Sequence, residues 1–505
     1  PRAAAGRAVA AANLVAAEAA LLVGDALGAA AAASLGLDHD PYDEAALRAL
    51  MRAHAAAGRP ASALAAYAEV RLRLVDDLGV SPDPQTEALH QQLLGIESGA
   101  PPARVDGWDP LVQRARVELA SNDLAAARRD AEEAVRRGGG PGALELAGWT
   151  AYYDRDFPAA LRWAEEAAER ATEEERRSSS RTLAARIRHS TGDLHGAEEH
   201  LDVAVQSQAA GVRAMAEVWL GALRAHQGRP ADALALARRG SIDEAALRHP
   251  FLMAHAQFAQ VYALAQQGRV AEVLAQLDSW DRLLADLGEG GIRYQPAATN
   301  FRAWVLGSIG QREQADECSE RAMVLTNSLQ EPRAHAVLDL ARSALDAGAL
   351  ERASAHLAAV DLPREQDGTM VWHQQHRLAT LRARLCLAGG DADAALALAS
   401  SVADDAAGRG ARRAELLARA VVLEARTRRG EVLDPNDARQ TVDALAPLAG
   451  LERWRVAASL AGATGWRWLW DVAARLGAEL ASSSGDQAPQ VRAWIDTELD
   501  RLGRP

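Results

Sequence analysis

The chain of 505 residues is long enough for several domains or for one long repeat array. All 56 basic residues are arginine, which excludes a P-loop lysine, a Schiff-base lysine and a Ser-x-x-Lys catalytic pair. The net charge of −13 disfavours strong binding to nucleic acid, and no run of about 18 apolar residues predicts a membrane span.

The first part of the chain, up to residue 94, has the pattern of a series of short helices. Residues 9–36 predict a helix pair. Asp40 predicts the N-cap of the next helix with Pro41 at its first position, where the missing N–H of proline costs nothing. Glycine-containing turns then separate two further helices, which are predicted to begin at Pro60 and Pro84.

Residues 40–94 also carry an ordered set of motif residues. These are Asp40-Pro41, Asp43-Glu44, Leu50-Met51, Gly58-Arg59, Ala63-Leu64, Tyr67, Arg71, Leu74, Asp77-Leu78-Gly79-Val80, Pro82 and Leu89. With the preceding helix pair they resemble the bacterial transcriptional activator domain (BTAD), over residues 1–96. This all-helical module is typical of SARP-type antibiotic regulators and their larger STAND-type relatives. An ordinary TPR hairpin with one added helix is the alternative, but it does not predict the Leu-Gly-Val-Ser-Pro turn.

The resemblance implies further modules outside this sequence. In that family a winged-helix DNA-binding domain precedes the BTAD, and large members add a nucleotide-binding ATPase module. We therefore expect the DNA-binding domain, and any ATPase, upstream of Pro1. Residues 1–96 contain seven arginines against eleven acidic residues, a net charge of −4, so DNA contact is expected only through a missing upstream domain.

A repeated pattern of helix, short turn and helix occupies residues 109–450, after a Gly- and Pro-rich stretch at 97–108 that predicts a linker. The predicted turn centres are Asn122, Arg155, Gly192, Gly228, Gly268, Gly310, Gly348, Gly390 and Gly430. After Arg155 their spacing is 36 to 42 residues, which is typical of an α-solenoid of helix pairs.

The residue five places after each turn tests this interpretation, because the two helices of a TPR hairpin cross closely there. With turns at Gly24 and Gly58 included, the candidates are Ala29, Ala63, Ala127, Ala160, Ala197, Ala233, Val273, Ala315, Ala353 and Ala395. Nine of the ten are alanine, whereas chance would supply about two at this alanine content. The array resembles TPR repeats, so the fold class is predicted as all-α, a helical-repeat superhelix with an N-terminal BTAD.

The last part of the chain, residues 451–505, loses the repeat period and is rich in tryptophan. Its tryptophans are Trp454, Trp466, Trp468, Trp470 and Trp494. They predict capping helices, since a terminal repeat must cover an apolar face that no neighbour buries. A partner-docking surface is the alternative.

No catalytic residue, cofactor site or metal site is predicted, and we expect no enzyme activity. His373 and His376 have a spacing that could share a metal, as do His195 and His200, but no HExxH motif or nearby cysteine accompanies them. The glycine-rich segment 138–142 follows no strand and predicts a loop rather than a phosphate cradle.

The one candidate binding surface is the concave groove of the array. In TPR superhelices the residues 13, 10 and 6 places before the turn glycine line this groove. Those offsets select His255, Phe258, Tyr262, Asn300, Trp304, Arg377 and Arg384. Large polar and aromatic side chains in a groove favour capture of a protein segment or an effector, although packing between repeats is the alternative, for Trp304 in particular.

Two functions are consistent with these patterns. The first is the protein-interaction and signal-sensing portion of a bacterial transcriptional regulator, with partners in the transcription machinery, in its own upstream domains, or as an effector in the groove. The second is a stand-alone TPR adaptor unrelated to transcription. Only two cysteines, Cys318 and Cys386, occur, both in helical patterns, which suits a reducing cytoplasmic location. Assembly into a homo-oligomer is left open.

Overall fold

The computed structural model describes residues 2–22, 26–57, 59–78, 80, 82–93, 109–120, 123–241, 250–286, 294–326, 330–448 and 450–505. Within these ranges every regular element is helical, which confirms the predicted all-α class. The chain forms two compact units, Pro1–Ala171 and Thr172–Pro505. Over the same described ranges, no helix is long and apolar enough to cross a membrane. The predicted boundaries 1–96, 109–450 and 451–505 stay predictions, and the predicted linker lies outside the described residues.

The described residues of the first unit form nine successive helices. They are α1 Arg2–Leu22, α2 Ala26–His39, α3 Glu44–Ala56, α4 Pro60–Leu78, α5 Pro84–Leu93, α6 Asp109–Ala120, α7 Leu124–Arg136, α8 Pro141–Tyr153 and α9 Phe157–Arg170. The predicted turn centres at Gly24, Gly58 and Asn122 lie outside the described residues.

The start of α3 differs from the sequence prediction. The helix begins at Glu44 and not at Pro41, because the carboxylate of Asp43 accepts hydrogen bonds from the backbone N–H groups of Ala45 at 2.9 Å and Ala46 at 3.1 Å. A side chain must reach the second or third helical N–H to cap, and Asp43 stands at that distance. The predicted cap, Asp40, instead accepts from Tyr42 in the preceding turn. The predicted starts of α4 and α5 at Pro60 and Pro84 are confirmed.

A small apolar core holds α1 to α5 together. Its buried members are Ala17, Ala33, Leu37, Ala46, Leu47, Ala49, Leu50, Met51, Ala53, Ala63, Tyr67, Val70 and Leu74. Tyr67 links α4 to α5, since its ring stacks on His90 with centroids 3.8 Å apart and its hydroxyl donates to Glu87. Burial, together with the Glu87 carboxylate, raises the pKa of Tyr67, so this hydroxyl keeps its proton.

The second unit continues the series of helices. They are α10 Glu174–Thr191, α11 Leu194–Ala204, α12 Ala210–His226, α13 Pro230–Ser241, α14 Pro250–Gln266, α15 Val270–Asp286, α16 Gln295–Ser308, α17 Arg312–Thr326, α18 Gln330–Asp346, α19 Leu350–Ala358, α20 Val371–Ala388, α21 Ala392–Arg409, α22 Arg412–Arg428, α23 Pro435–Ala444, α24 Arg453–Thr464, α25 Arg467–Ser482 and α26 Ala488–Arg501.

The hairpin turns have a common backbone geometry. All eight described turn centres have a positive φ, from 64° at Arg155 to 89° at Gly192. A left-handed residue at this point ends the first helix with its last carbonyls satisfied, and glycine adopts it without strain. In four hairpins an aspartate follows the turn and caps the second helix, as Asp391 does by accepting from the Ala394 N–H at 3.0 Å.

The residues five places after the turns are buried, as the close crossing of paired helices requires. All ten candidates have an exposed fraction of 4% or less. Alanine is small enough to let the backbones of the two helices approach. The TPR-like packing register predicted from these positions is therefore confirmed.

Helices far apart in sequence meet within the second unit. The indole N–H of Trp372 donates to the carbonyl of His189 at 3.2 Å, and the backbone N–H of Gly450 donates to the carbonyl of Gln266 at 2.7 Å. At Gly450 even a methyl group would overlap the backbone of Gly268. The successive hairpins thus wind back onto each other and enclose a space between their first helices.

The tryptophan-rich C-terminal helices pack against the middle of this unit. Trp454 and Trp470 are buried in the largest apolar core of the unit. The Ser483 hydroxyl donates to the carbonyl of Gly268 at 2.6 Å, and the amide of Gln311 donates to that of Gln487 at 2.7 Å. These helices therefore contact the turns at residues 268 and 310 as well as the hairpins that immediately precede them.

Candidate functional site

A partly enclosed cavity of about 320 Å³ lies inside the second unit. Its walls are mainly the inward faces of α14, α16, α18, α20, α22 and α24, together with the segment just before α24 and His226 at the end of α12. Five of these helices are the first helices of successive hairpins. The cavity is therefore lined by the inward, concave face of the repeat array. Its volume is at the lower end of the range for small-molecule sites.

Six of the seven groove residues selected from the sequence line this one cavity. They are Phe258, Tyr262, Asn300, Trp304, Arg377 and Arg384. The seventh, His255, is not part of the lining, and its ring lies against Trp219 with centroids 4.3 Å apart. It is almost two helical turns before Tyr262 on α14, which places it beyond the end of the cavity.

An aromatic cluster forms one part of the lining. Phe258 and Tyr262 from α14 meet Phe301 and Trp304 from α16, with ring centroids 5.3 Å apart for Phe258–Phe301 and 5.8 Å apart for Tyr262–Trp304. The rings are inclined or edge-on to each other, an arrangement that aromatic pairs prefer. They offer an apolar surface with a polar group at the Tyr262 hydroxyl and the Trp304 indole.

A partly buried ion pair fixes the polar edge of this cluster. Arg413 of α22 pairs with Glu452 and lies over the ring of Trp304, with its guanidinium carbon 5.2 Å from the ring centroid. The Trp304 indole donates to Glu452 at 3.0 Å. Burial lowers the pKa of Arg413, but the partners Glu452 and Tyr262 outweigh burial and raise it overall, so the guanidinium stays charged. Residue 452 therefore connects the C-terminal segment to the aromatic cluster.

A basic cluster forms another part of the lining. It contains Arg342, Arg377, Arg384 and Arg455, with the carboxylates of Asp339 and Asp346 among them. The Arg377 guanidinium donates to Asp339 at 2.8 Å, while Arg384 at 3.3 Å and Arg455 at 2.5 Å both donate to Asp346. Asp346 is buried, and the arginines around it overcome the effect of burial and lower its pKa, so it is a carboxylate.

A row of buried histidines includes three lining residues, His226, His335 and His373, and continues behind them to His189. His189 and His226 approach within 3.1 Å between ring nitrogens, and the ring of His226 lies 5.4 Å from that of His373, which lies 5.6 Å from His335. Burial lowers the pKa of all four, to about 4 for His226 and about 3 for His335. These imidazoles are therefore uncharged near neutral pH.

The two histidines of the H-x-x-H pair at residues 373 and 376 have other roles. His376 meets the carboxylate of Asp405 at 2.6 Å, and His373 belongs to the histidine row. In the part of the chain that the structure describes, no three His, Cys, Asp or Glu side chains form a group that could hold a metal ion.

Several lining residues were missed from the sequence. Phe301 was within reach, because it is three residues before Trp304 and therefore on the same helix face. Arg413, Glu452 and Arg455 carry no such signal, since they reach the cavity only through the winding of the second unit.

Comparison with known proteins identifies part of the chain. The family model of the bacterial transcriptional activator domain matches residues 2–94. Residues 2–94 are similar to a BTAD. The matched region contains α1 to α5 and the core around Tyr67. The chain as a whole matches no curated protein.

Solved helical structures cover most of the chain at low similarity. The P58(IPK) TPR domain is 14% identical, with 83% of this chain and 98% of that chain covered and a TM-score of 0.27. The anaphase-promoting-complex assembly Cut9–Hcn1 is 12% identical over 97% and 95%, with a TM-score of 0.36. A Rap protein complexed with competence and sporulation factor is 11% identical over 91% and 99%, with a TM-score of 0.31. Scores this low carry no argument about the function of the array that follows the BTAD.

Proposed function

We propose that this chain is the protein-interaction and signal-sensing portion of a bacterial transcriptional regulator related to the SARP-type and larger STAND-type proteins. The BTAD acts through contacts with the transcription machinery or with other domains of the regulator. The cavity of the second unit is the sensing site, and the groove residues that line it bind the signal. DNA contact belongs to a separate module, and the role of this chain is non-catalytic.

The observation that supports this proposal most directly is the BTAD at residues 2–94, since this module is characteristic of transcriptional activators. The net charge of −13 supports the assignment of DNA contact to another module, because an acidic surface repels phosphates. The cavity supports a sensing role, since a concave space with aromatic walls and a few charged groups is the usual form of a ligand site.

A reporter assay tests the transcriptional role. The chain is fused to the DNA-binding domain of an unrelated regulator and expressed in a bacterial host that carries the matching operator. We expect reporter transcription to change at least about threefold, and the change to disappear with Ala63→Trp, which forces a ring into the fully buried core of the BTAD. The matched control, Ala65→Trp, adds the same ring at an exposed position of α4 and should behave like the wild type.

Two results would contradict the transcriptional role. One is a fusion that is folded and abundant but leaves the reporter unchanged, which would favour the adaptor alternative. The other is an unchanged response from Ala63→Trp when circular dichroism and limited proteolysis show that its BTAD has unfolded.

A further inference from the structure

The basic cluster of the cavity holds more positive than negative charge. Its four arginines, Arg342, Arg377, Arg384 and Arg455, share two carboxylates. Asp339 is 4% exposed and Asp346 is 7% exposed, so both carboxylates are surrounded by the arginines rather than by water. Glu498 also attracts Arg455, and even with it the guanidinium groups outnumber these carboxylates.

Two other carboxylates of the lining are engaged elsewhere. Glu424 accepts from the Ser459 hydroxyl at 2.6 Å, and Glu452 pairs with Arg413.

Buried charge without a partner is costly, and one donor of the cluster is visibly unsatisfied. The Nε atom of Arg342 is buried and has no hydrogen-bond partner among the described residues, and the Asp339 oxygen facing it is 3.6 Å away. A ligand carboxylate would supply both charge and acceptors, because guanidinium groups match the geometry of a carboxylate. Arg384, the most exposed of the four, is the best placed to meet it.

The rest of the lining is suited to an apolar body. The rings of Phe258 and Phe301 line one part of the cavity. The aliphatic side chains of Leu417 and Val421 from α22 and of Leu460 from α24 also line it. The cavity volume of about 320 Å³ suits a compact molecule of one or two rings rather than a folded protein segment.

We propose that the cavity binds a small organic acid, with its carboxylate at Arg384 and an apolar, ring-bearing body between Phe258, Phe301 and Leu460. This inference rests on the proposed function, in which the same cavity is the sensing site. It adds the chemical class of the signal, an aromatic or alicyclic monocarboxylate.

A matched pair of probes tests the inference. Binding of 1-naphthaleneacetate to the full chain is measured by isothermal titration calorimetry and compared with 1-naphthaleneacetamide, which has the same shape without the charge. We expect the acid to bind at least about tenfold more tightly than the amide, since hydrogen bonds to a charged group are the stronger kind.

Variants of one helix then locate the carboxylate. Arg384→Gln should weaken binding of the acid about tenfold and remove its advantage over the amide. Arg382→Gln is the matched control, because it changes an exposed arginine of the same helix outside the lining and should leave both affinities unchanged. The ratio of acid to amide affinity does not depend on the amount of folded protein, so lower stability of a variant cannot produce the expected result.

The apolar contacts are tested by Tyr262→Ala combined with Trp304→Ala. This double variant should weaken binding of the acid at least tenfold while the circular dichroism spectrum keeps its helical form. Equal affinities of acid and amide for the wild type, an undiminished ratio in Arg384→Gln, or normal affinity in a folded double variant would each overturn the inference. A chain that changes reporter transcription but binds neither probe would overturn the inference and leave the proposed function standing.

Discussion

The buried imidazole of His226 should make the stability of the second unit depend on pH. Its side chain is 5% exposed and sits among charged and aromatic groups from four other helices. These neighbours are His189 and Arg186 of α10, Tyr262 of α14, Trp372 and His373 of α20, and Arg413 of α22. Burial lowers the pKa of His226 to about 4; the carbonyl of Ala222 opposes this effect, whereas Arg413 and Arg186 add to it.

The size of the effect follows from this pKa. In the unfolded chain the pKa of a histidine is about 6.5. Below that pH the histidine of the unfolded state binds a proton, whereas the buried imidazole of the folded state stays neutral, and this difference favours unfolding. The stability is fully present above about pH 6.5 and is lost as the pH falls toward about 4. At about pH 5 the loss from His226 alone is about 2 kcal/mol, or roughly 4 °C in melting temperature for a large unit.

The assay compares thermal melting of variants between about pH 7.5 and about pH 5, a window above the usual range of carboxyl groups. His226→Gln is neutral at every pH and keeps a donor and an acceptor for its neighbours. We expect this variant to lose roughly 4 °C less than the wild type on acidification. The control His195→Gln removes an exposed histidine and should follow the wild type.

The reasoning would be refuted if His226→Gln lost as much stability on acidification as the wild type and His195→Gln. A lower melting temperature of His226→Gln at about pH 7.5 would not contradict the prediction, because the prediction concerns how much the melting temperature changes with pH and not its value at one pH.

Three further predictions concern packing and caps. Ala63→Trp should lower the free energy of unfolding of the BTAD by about 1–3 kcal/mol, while Ala65→Trp should leave it nearly unchanged. The measurement is the denaturation midpoint of an isolated BTAD fragment if that fragment folds, and otherwise limited proteolysis of the full chain. Gly450→Ala should lower the melting temperature of the second unit, because the added methyl group would overlap the backbone of an earlier turn, whereas Gly408→Ala, with open space around it, should be neutral or stabilising. Asp391→Ala should cost about 1 kcal/mol by removing a helix cap, and an unchanged melting curve would contradict the capping role.

The helical hairpins could be predicted because they depend on local rules. Each hairpin requires a left-handed residue at its turn, a small residue five places later and, in several cases, a capping aspartate. All three requirements lie within one hairpin, so each leaves a signal within about 40 residues of sequence. The start of α3 shows the limit of such rules. The local pattern predicted the cap at Asp40, whereas the path of the chain places the Asp43 carboxylate at the helical N–H groups.

The cavity was only partly within reach of the sequence. The groove offsets found Tyr262 and Trp304 because repeats place equivalent residues on the same inward face. The offsets could not find Glu452 or Arg455, which lie beyond the last repeat, or indicate how many arginines share Asp346. Those facts depend on how far each hairpin rotates relative to the one before it. Such small rotations add up over many repeats, so the sequence determined the hairpins and their inward faces, and only the tertiary structure decided which inward faces meet.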